Sequence, residues 1–281
     1  MAVLLAALSA LTFGAGDFCG GLSARRIAAQ WTTATAQATG LVVILIVAIA
    51  VGGSPGAGDI GLGVAAGLTG GIALVLFYWA MAQGPMSVVA PVSAVMSAVV
   101  PTIAGIVDGE RPAPLAIVGI ALALPAIVLI SREPAPDDDA ADRHRATPRA
   151  IVAATVSGIG FGLFFTFISH TGADSGLWPL AGARSAAILL ALVVVAVTRP
   201  RRPTMDGAKL AMLTGCLDAT GNSLFLLASR QGLLTLVGVI GAMYPASTVV
   251  LARFVLGERL QRHQLAGLGI AAGAVVLIAV G

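Results

Sequence analysis

Ten apolar stretches, each about twenty residues long, constrain the fold of this chain more than any other feature. A bilayer core about 30 Å thick requires roughly 20 apolar residues to be crossed by one α-helix. The pattern therefore predicts an all-α membrane protein with about ten transmembrane helices. The stretches are 2–23, 31–52, 60–82, 86–107, 113–131, 150–170, 177–198, 208–229, 233–256 and 263–280.

The composition excludes a soluble domain and makes the lipid bilayer the main partner. The chain is 58% hydrophobic and 10% charged, whereas a soluble domain has about 25% charged residues. The net charge of +3 comes from arginines in short connectors, and Lys209 is the only lysine. Since the cations form no broad basic patch, nucleic acid is excluded as a partner.

One polar segment, SREPAPDDDAADRHRATPR at 131–149, divides the chain. It contains four aspartates and one glutamate among its arginines, and too few apolar residues to pack in a core. We interpret 132–148 as a linker. The predicted domains are a first five-helix unit at 1–131 and a second at 149–281.

The two units repeat each other in sequence. Residues 83–130 align without a gap on 231–278, and sixteen of the 48 pairs are identical. Earlier in each unit, a shift of 147 positions places Trp31 on Trp178 and Gln37 on Arg184. Each unit has five predicted spans, an odd number, so a linker that stays on one side gives the second unit the opposite orientation. The sequence predicts two inverted repeats, an arrangement typical of secondary transporters.

Several motifs resemble the EamA-type permeases of the drug/metabolite transporter superfamily. They are Gly109-Glu110-Arg111, its copy Gly257-Glu258-Arg259, the glycine-rich aromatic segment 13–18, and Met243-Tyr244-Pro245 with Thr248. The resemblance covers nearly the whole chain in two copies. It implies ten helices around a central cavity, alternating access, and export or import of amino acids, sugars, nucleotide-related metabolites or drugs.

The orientation has two opposed indications. One side of the predicted topology contains Arg25, Arg26, Arg132, Arg143, Arg145, Arg149, Arg199, Arg201, Arg202, Lys209, Arg259 and Arg262. The other side contains Arg111 and Arg230. Positive charge concentrates in cytoplasmic loops. The arginine-rich side would then be cytoplasmic, and both termini, which lie on the other side, would be outside. The family resemblance implies that both termini lie in the cytoplasm. A plasma (inner) membrane location is expected in either case.

Polar residues at membrane depth are the candidates for substrate contact, because a charge there is costly unless it faces a cavity or a partner. Thr214, Asp218 and Asn222 form a polar stripe at one-turn spacing. The other candidates are acidic, basic, amide and aromatic positions in four further predicted helices. The predicted cavity-lining or substrate-binding residues are Asp17, Gln37, Arg184, Thr214, Asp218, Asn222 and Tyr244.

Each candidate also has a structural interpretation. Asp218 and Arg184 could instead be an ion pair that locks two helices together. Asp17 lies between Gly16 and Gly20, where another helix can approach closely, and it could bridge to Arg25 and Arg26. Tyr244 could be a packing residue. The sequence leaves both alternatives open for these positions.

The remaining motifs are interpreted as structural. In each Gly-Glu-Arg copy the glycine permits a tight turn and the charged pair lies at the membrane surface. Pro91, Pro101, Pro125 and Pro245 interrupt helical stretches, where proline is tolerated if neighbours or water satisfy the freed carbonyl. In the fourth and ninth spans such breaks could allow gating, and the alternative is a packing kink. His170 is expected at the membrane interface.

Other function classes are less well supported by the sequence. The chain has no HExxH, GxSxG or P-loop motif, so neither an enzyme nor a cofactor or metal site is expected. A channel, or a structural or sensory membrane protein, remains the alternative to a transporter of a small molecule. The substrate, the coupling ion, the direction of transport and the oligomeric state are left open.

Overall fold

The structure is a computed structural model that describes residues 1–83, 86–131, 147–257 and 260–281. No β-strand occurs among these residues, and ten segments are long and apolar enough to cross a membrane. The predicted all-α fold with ten spans is confirmed. The helices are α1 (Ala2–Ala24), α2 (Ala29–Val51), α3 (Ala57–Gln83), α4 (Met86–Val107), α5 (Pro114–Ser131), α6 (Pro148–Ser169), α7 (Trp178–Thr198), α8 (Met205–Ser229), α9 (Leu234–Gly241), α10 (Tyr244–Val255) and α11 (Arg262–Val280).

The ninth span is broken near its middle, as expected from Pro245, although its apolar stretch is continuous in the sequence. It consists of α9 and α10, separated by Ala242 and Met243. Pro245 lies in the first turn of α10, where its missing N–H is tolerated. The repeat counterpart of Pro245 is Ser97, which lies inside the continuous helix α4. The break therefore belongs to the second half alone.

Three other prolines do not break their helices. Pro91 and Pro101 lie inside α4, and Pro125 lies inside α5. A proline is accepted within a membrane helix when its neighbours satisfy the freed backbone groups. The ring of Pro101 also packs where a side chain at Gly238 would stand, at 2.7 Å from the Cβ position. It joins α4 to α9 across the two halves.

The packing of the helices repeats between the halves. Helix α1 packs against α8, and α6, the counterpart of α1, packs against α3, the counterpart of α8. In the contact between α5 and α11, Gly119 meets Ile278 and Gly267 meets Ile130. These two contacts are equivalent under the 148-residue shift. The halves thus pack face to face with a two-fold pattern.

The connectors define two sides of the bundle. We call the end that holds Ser131 and Thr147 the linker side, and the end that holds Ala2 and Val280 the terminus side. The predicted linker lies mostly at 132–146, outside the described residues, and α6 begins at Pro148 with Thr147 as its N-cap. Gly109 and Gly257 both have positive φ, at 90° and 71°, as their turns require. Glu258 and Arg259 lie outside the described residues.

Candidate functional site

Arg184 of α7 lies at the centre of a polar cluster that joins three helices. Its Nη1 donates to Oε1 of Gln37 on α2 at 2.7 Å, and it lies 2.5 Å from Oδ2 of Asp218 on α8. Arg184 is 5% exposed, whereas the side chain of Asp218 is 34% exposed. The predicted pairing of Arg184 with Asp218 is therefore present, with one partner buried and the other reached by solvent.

Gln37 and Arg184 are related to each other by the internal repeat of the chain. The two residues occupy equivalent positions in the sequence repeat, and their side chains touch. Two equivalent positions can meet only close to the axis that relates the halves. The polar cluster consequently lies on the seam between the halves, where secondary transporters bind their substrates.

Space for the guanidinium comes from a glycine. A Cβ at Gly40 would stand 3.3 Å from Cζ and Nε of Arg184. The Nη2 of Arg184 is buried and has no hydrogen-bond partner in the described part of the chain. A buried guanidinium nitrogen without a partner is costly, so this donor is available for a further acceptor.

The predicted polar stripe on α8 divides into different roles. Asn222 is 5% exposed and donates from Nδ2 to Oδ1 of Asp218 at 3.2 Å and to its backbone oxygen at 2.8 Å. It therefore orients the Asp218 carboxylate. Thr214 donates to its own helix at Leu210, and its Oγ1 lies 3.6 Å from the Cβ position of Gly20 on α1. Thr214 contributes to helix packing.

Asp17 lies on the inward face of α1 and is nevertheless exposed. Phe13 and Gly14, one turn earlier on this face, are buried. Protein atoms surround Asp17, and its carboxylate is near enough to Asp218 for the two to repel each other. Asp17 is thus an acid within a membrane span, close to a second acid of α8. No hydrogen bond or ion pair joins Asp17 to Arg25, Arg26 or any other described residue.

Tyr244 lies beside Asp17 at the start of α10. Its hydroxyl is within the electrostatic reach of the Asp17 carboxylate, and its side chain is partly exposed. Helix α1 comes very close at this point. A Cβ at Gly14 would overlap Ser247 Oγ and the backbone oxygen of Tyr244. Ser247 and Thr248 donate to the backbone oxygens of Ala10 and Gly14, both at 3.1 Å.

An aromatic layer closes the bundle between Asp17 and the terminus side. Phe13 of α1 and Phe165 of α6 have ring centroids 5.9 Å apart, and Phe165 lies 4.4 Å from Phe225 of α8. All three rings are buried. The layer begins one turn from Asp17, at Phe13.

The terminus side is further closed by polar contacts between the halves. His170 Nε2 lies 2.9 Å from Asp108 Oδ2, and Asp59 Oδ1 accepts from the Gly172 N–H at 2.7 Å. Ser54 N–H donates to the Asp174 backbone oxygen at 2.8 Å. These contacts tie the connectors of the first half to the connector between α6 and α7. His170 lies at the bundle end, as expected for an interfacial residue.

The linker side is more open. A cavity of about 190 Å³ lies between α2, α3 and α7, in the part of the bundle nearest this side. Gln37 lines it, together with mainly apolar residues. Gly21, one turn beyond Asp17 on α1, is exposed and has nothing within 4 Å of its Cβ position. The polar contacts between the halves therefore lie at the terminus side, whereas the cavity beside Gln37 lies toward the linker side.

Glu110 has a more specific role than the surface charge expected from the sequence. Its Oε1 accepts from the Leu234 N–H at 2.6 Å, and its Oε2 accepts from the Thr235 N–H at 2.8 Å. The carboxylate therefore caps α9, which belongs to the other half. The repeated Gly-Glu-Arg was the available signal, since a carboxylate is favoured at a helix N-terminus. The aromatic layer had no sequence signal, because its rings are far apart in the chain.

Comparison with known proteins identifies the family. A model of the EamA-like transporter family matches the chain twice, at residues 1–132 and 148–280. The chain belongs to this family. The fold of this chain is also seen in a solved structure described only as "Crystal structure of protein", with a TM-score of 0.79 and 15% sequence identity. That alignment covers 99% of this chain and 98% of the other. No curated protein matches the chain.

Membership of the EamA-like family gives the general role. The family belongs to a drug/metabolite transporter superfamily, which supports a permease-type role for this chain in a membrane that it crosses several times. The family match assigns no role to the polar cluster, to Asp17 or to Tyr244. The role of these residues in this protein is therefore a separate proposal.

Proposed function

We propose that this protein is a secondary permease of the plasma (inner) membrane that moves a small organic molecule with a cationic nitrogen by alternating access. The observation that carries the proposal is Asp17, an exposed carboxylate at membrane depth that has no partner among the described residues. A charge at this depth is retained when it faces a pathway. Asp17 is therefore assigned to the binding of the substrate.

The charge balance of the cavity favours a cation. Arg184 and Asp218 neutralise each other at 2.5 Å. Asp17 is left as an additional negative charge beside them, and Tyr244 and the apolar cavity walls offer surface to the rest of the molecule. A few polar anchors among apolar walls are typical of a small-molecule site.

Closure of the bundle at one side and not at the other supports alternating access. The aromatic layer and the polar contacts block the terminus side, while Asp17 is reached from the linker side. The abundance of arginine on the linker side favours a cytoplasmic location for that side. In this proposal the conformation is open to the cytoplasm, and transport requires the contacts on the terminus side to separate.

The test is transport by the purified protein in sealed proteoliposomes. Counterflow is measured with a panel of labelled amines and with neutral and anionic molecules of similar size. We expect flux for cationic members of the panel. Asp17→Asn should weaken their apparent affinity about 10- to 100-fold, the loss of one charged hydrogen bond. Asp206→Asn removes an exposed acid on the linker side and should leave affinity unchanged.

Three results would contradict parts of this proposal. Equal flux of neutral and cationic molecules in wild type and Asp17→Asn would remove the cation assignment. Flux that does not saturate as the concentration of the labelled molecule rises would indicate a channel. The absence of exchange with every member of a broad metabolite panel, in protein that is folded and inserted, would favour a structural or sensory role.

A further inference from the structure

A second candidate site lies at the linker-side end of the spans, away from Asp17 and Arg184. A pocket of about 510 Å³ lies between the α1–α2 connector and the α7–α8 connector. Four arginines line it, Arg25 and Arg26 from the first connector and Arg201 and Arg202 from the second. Two connectors distant in sequence thus bring four positive charges to one concave surface.

The four guanidinium groups are available to a ligand. All four residues are exposed, and none of their side chains makes a hydrogen bond or an ion pair with another described residue. The nearest acid in sequence is Asp206 in the first turn of α8, which is also exposed and does not contact them. Like charges held together without counter-charges attract an anion.

Two helix N-termini add to the positive field of the pocket. Ala28, the N-cap of α2, and Thr204, the N-cap of α8, both line the pocket. Neither N-terminus has a side-chain cap. The first N–H groups of a helix lack partners within the helix and favour negative charge. The arginines and both N-termini therefore point to the same class of ligand.

The frame of the pocket is fixed before any ligand binds. Ser23 Oγ donates to the Gly207 backbone oxygen at 2.9 Å and lies 3.0 Å from Thr32 Oγ1. Ile27 is buried, and its side chain fills the place where a Cβ of Gly207 would stand. These contacts hold the ends of α1, α2 and α8 together. An anion would therefore meet a preformed site.

The surroundings identify the source of the anion. Val197 of α7 and Met205 of α8 flank the second connector and are 77% and 74% exposed. Exposed apolar side chains at the end of a membrane-spanning helix are suited to contact with acyl chains. We propose that the arginine pocket binds a phosphate-ester anion, the headgroup of an anionic phospholipid in the leaflet of the linker side. Basic pockets between membrane helices bind anionic headgroups in this way.

Lipid binding by the purified full chain tests the proposal. Native mass spectrometry and thermal melting follow titration with dioleoylphosphatidylglycerol, with dioleoylphosphatidylcholine as the neutral lipid. The pocket variant is R25Q/R26Q/R201Q/R202Q. The control variant R149Q/R262Q removes two exposed charges from the same side outside the pocket. We expect tight, saturable phosphatidylglycerol binding, weakened about tenfold or more in the pocket variant and unchanged in the control.

Further arms of the experiment distinguish a lipid site from a free-phosphate site and from a diffuse charge effect. If inorganic phosphate alone stabilises the protein and displaces the lipid at low millimolar concentration, the ligand is a free phosphate and the lipid assignment is wrong. Equal weakening in the control variant would show a diffuse charge effect and overturn the site. If the pocket variant melts early without lipid, R25Q/R26Q and R201Q/R202Q are measured separately. Each must then weaken binding for the proposal to stand.

Discussion

At the scale of single residues, the fold accommodates the charged side chains of the membrane spans in two ways. Arg184 is buried against Asp218 and Gln37, so its charge is neutralised and hydrogen-bonded. Asp17 is exposed and has no partner in the described part of the chain. Desolvation of an ion costs more than a surface contact returns. The buried charge therefore needs its partner for stability, whereas the exposed charge is free to serve a ligand.

The first prediction concerns the ion pair. Asp218→Asn keeps the shape of the side chain and leaves the buried Arg184 guanidinium without its anion. We expect a loss of about 2–3 kcal/mol in the free energy of unfolding, below the full cost for a buried pair because Asp218 is 34% exposed. Melting of the purified protein measures the loss, and the double variant Asp218→Asn with Arg184→Gln should recover most of it.

Flux through the same variants separates the two roles of Asp218. We expect the double variant to regain stability and to transport poorly, because Asp218 lies close to Asp17, the proposed substrate contact. A double variant with wild-type flux would show that the pair only locks α7 to α8. Flux near wild type in the single variant Asp218→Asn would contradict any role of Asp218 in transport.

At the scale of helices, small residues and one cap decide how the elements meet. Membrane helices gain little from burying apolar surface against each other, since lipid is equally apolar, so close packing at glycine matters more. Gly14 allows α1 to touch the start of α10, and Glu110 caps α9 from the other half. Both contacts lie beside the broken ninth span. They fix the position of the two short helices.

A prediction follows for the contact between α1 and α10. Gly14→Ala places a methyl group on Ser247 Oγ and the Tyr244 backbone oxygen, and backbone cannot move aside cheaply. We expect a destabilisation of about 1–3 kcal/mol, seen as a lower melting temperature. Gly21→Ala on the same helix is the matched control. Nothing lies within 4 Å of its Cβ position, so stability should stay the same or rise slightly. Equal effects of the two changes would contradict the packing assignment.

The cap on α9 gives another prediction. Glu110→Gln removes the negative charge and keeps only one oxygen for the N–H groups of Leu234 and Thr235. We expect a loss of about 0.5–2 kcal/mol in stability, the usual value of an N-terminal cap. The neighbouring change Arg111→Gln alters an exposed side chain and should have little effect. A stability loss confined to Arg111→Gln would show that the cation of the motif matters instead.

At the scale of the whole molecule, the two halves meet along a seam with unlike ends. The terminus side is sealed by contacts that cross from one half to the other, such as His170 with Asp108. The linker side has an open cavity and the arginine pocket. Inverted halves can exchange such open and closed ends by rocking against each other. Under the proposed alternating access, this asymmetry corresponds to a single state of the cycle.

Crosslinking of the closed side tests this cycle. Asp108→Cys and His170→Cys are introduced together, with Cys19 and Cys216 replaced by serine. Treatment with a short, reversible bifunctional thiol reagent should abolish flux, because the terminus side can no longer open, and reduction should restore it. Each single cysteine variant serves as the control. Undiminished flux in fully crosslinked protein would rule out opening at this pair.

Shortening of the linker gives a prediction about the joined halves. Its polar, charge-rich composition at 132–146 does not suit a packed core. We expect a variant lacking 137–141 to insert normally and to retain most of its flux. Counterflow in proteoliposomes, corrected for the amount of inserted protein, measures this. A large loss of flux would assign the segment a part in transport.

The sequence by itself determined the ten spans, the all-α class and the duplication. These follow from local properties, since the length and apolarity of each stretch are fixed by the thickness of the bilayer. It also supplied every polar residue of the cluster, because a charge among apolar neighbours stands out. The helix ends were close to the observed ones, and the break before Tyr244 was indicated by Pro245 alone.

Only the tertiary structure decided how these residues are used. Arg184 and Gln37 are 147 positions apart, and their contact depends on how the halves dock. The same sequence signal, an acid in an apolar helix, corresponds to a paired carboxylate at Asp218 and an unpaired one at Asp17. Which of the two occurs depends on the side chains that neighbouring helices bring within a few ångströms. The closed terminus side, the cap from Glu110 and the arginine pocket likewise depend on long-range contacts, which no local pattern contains.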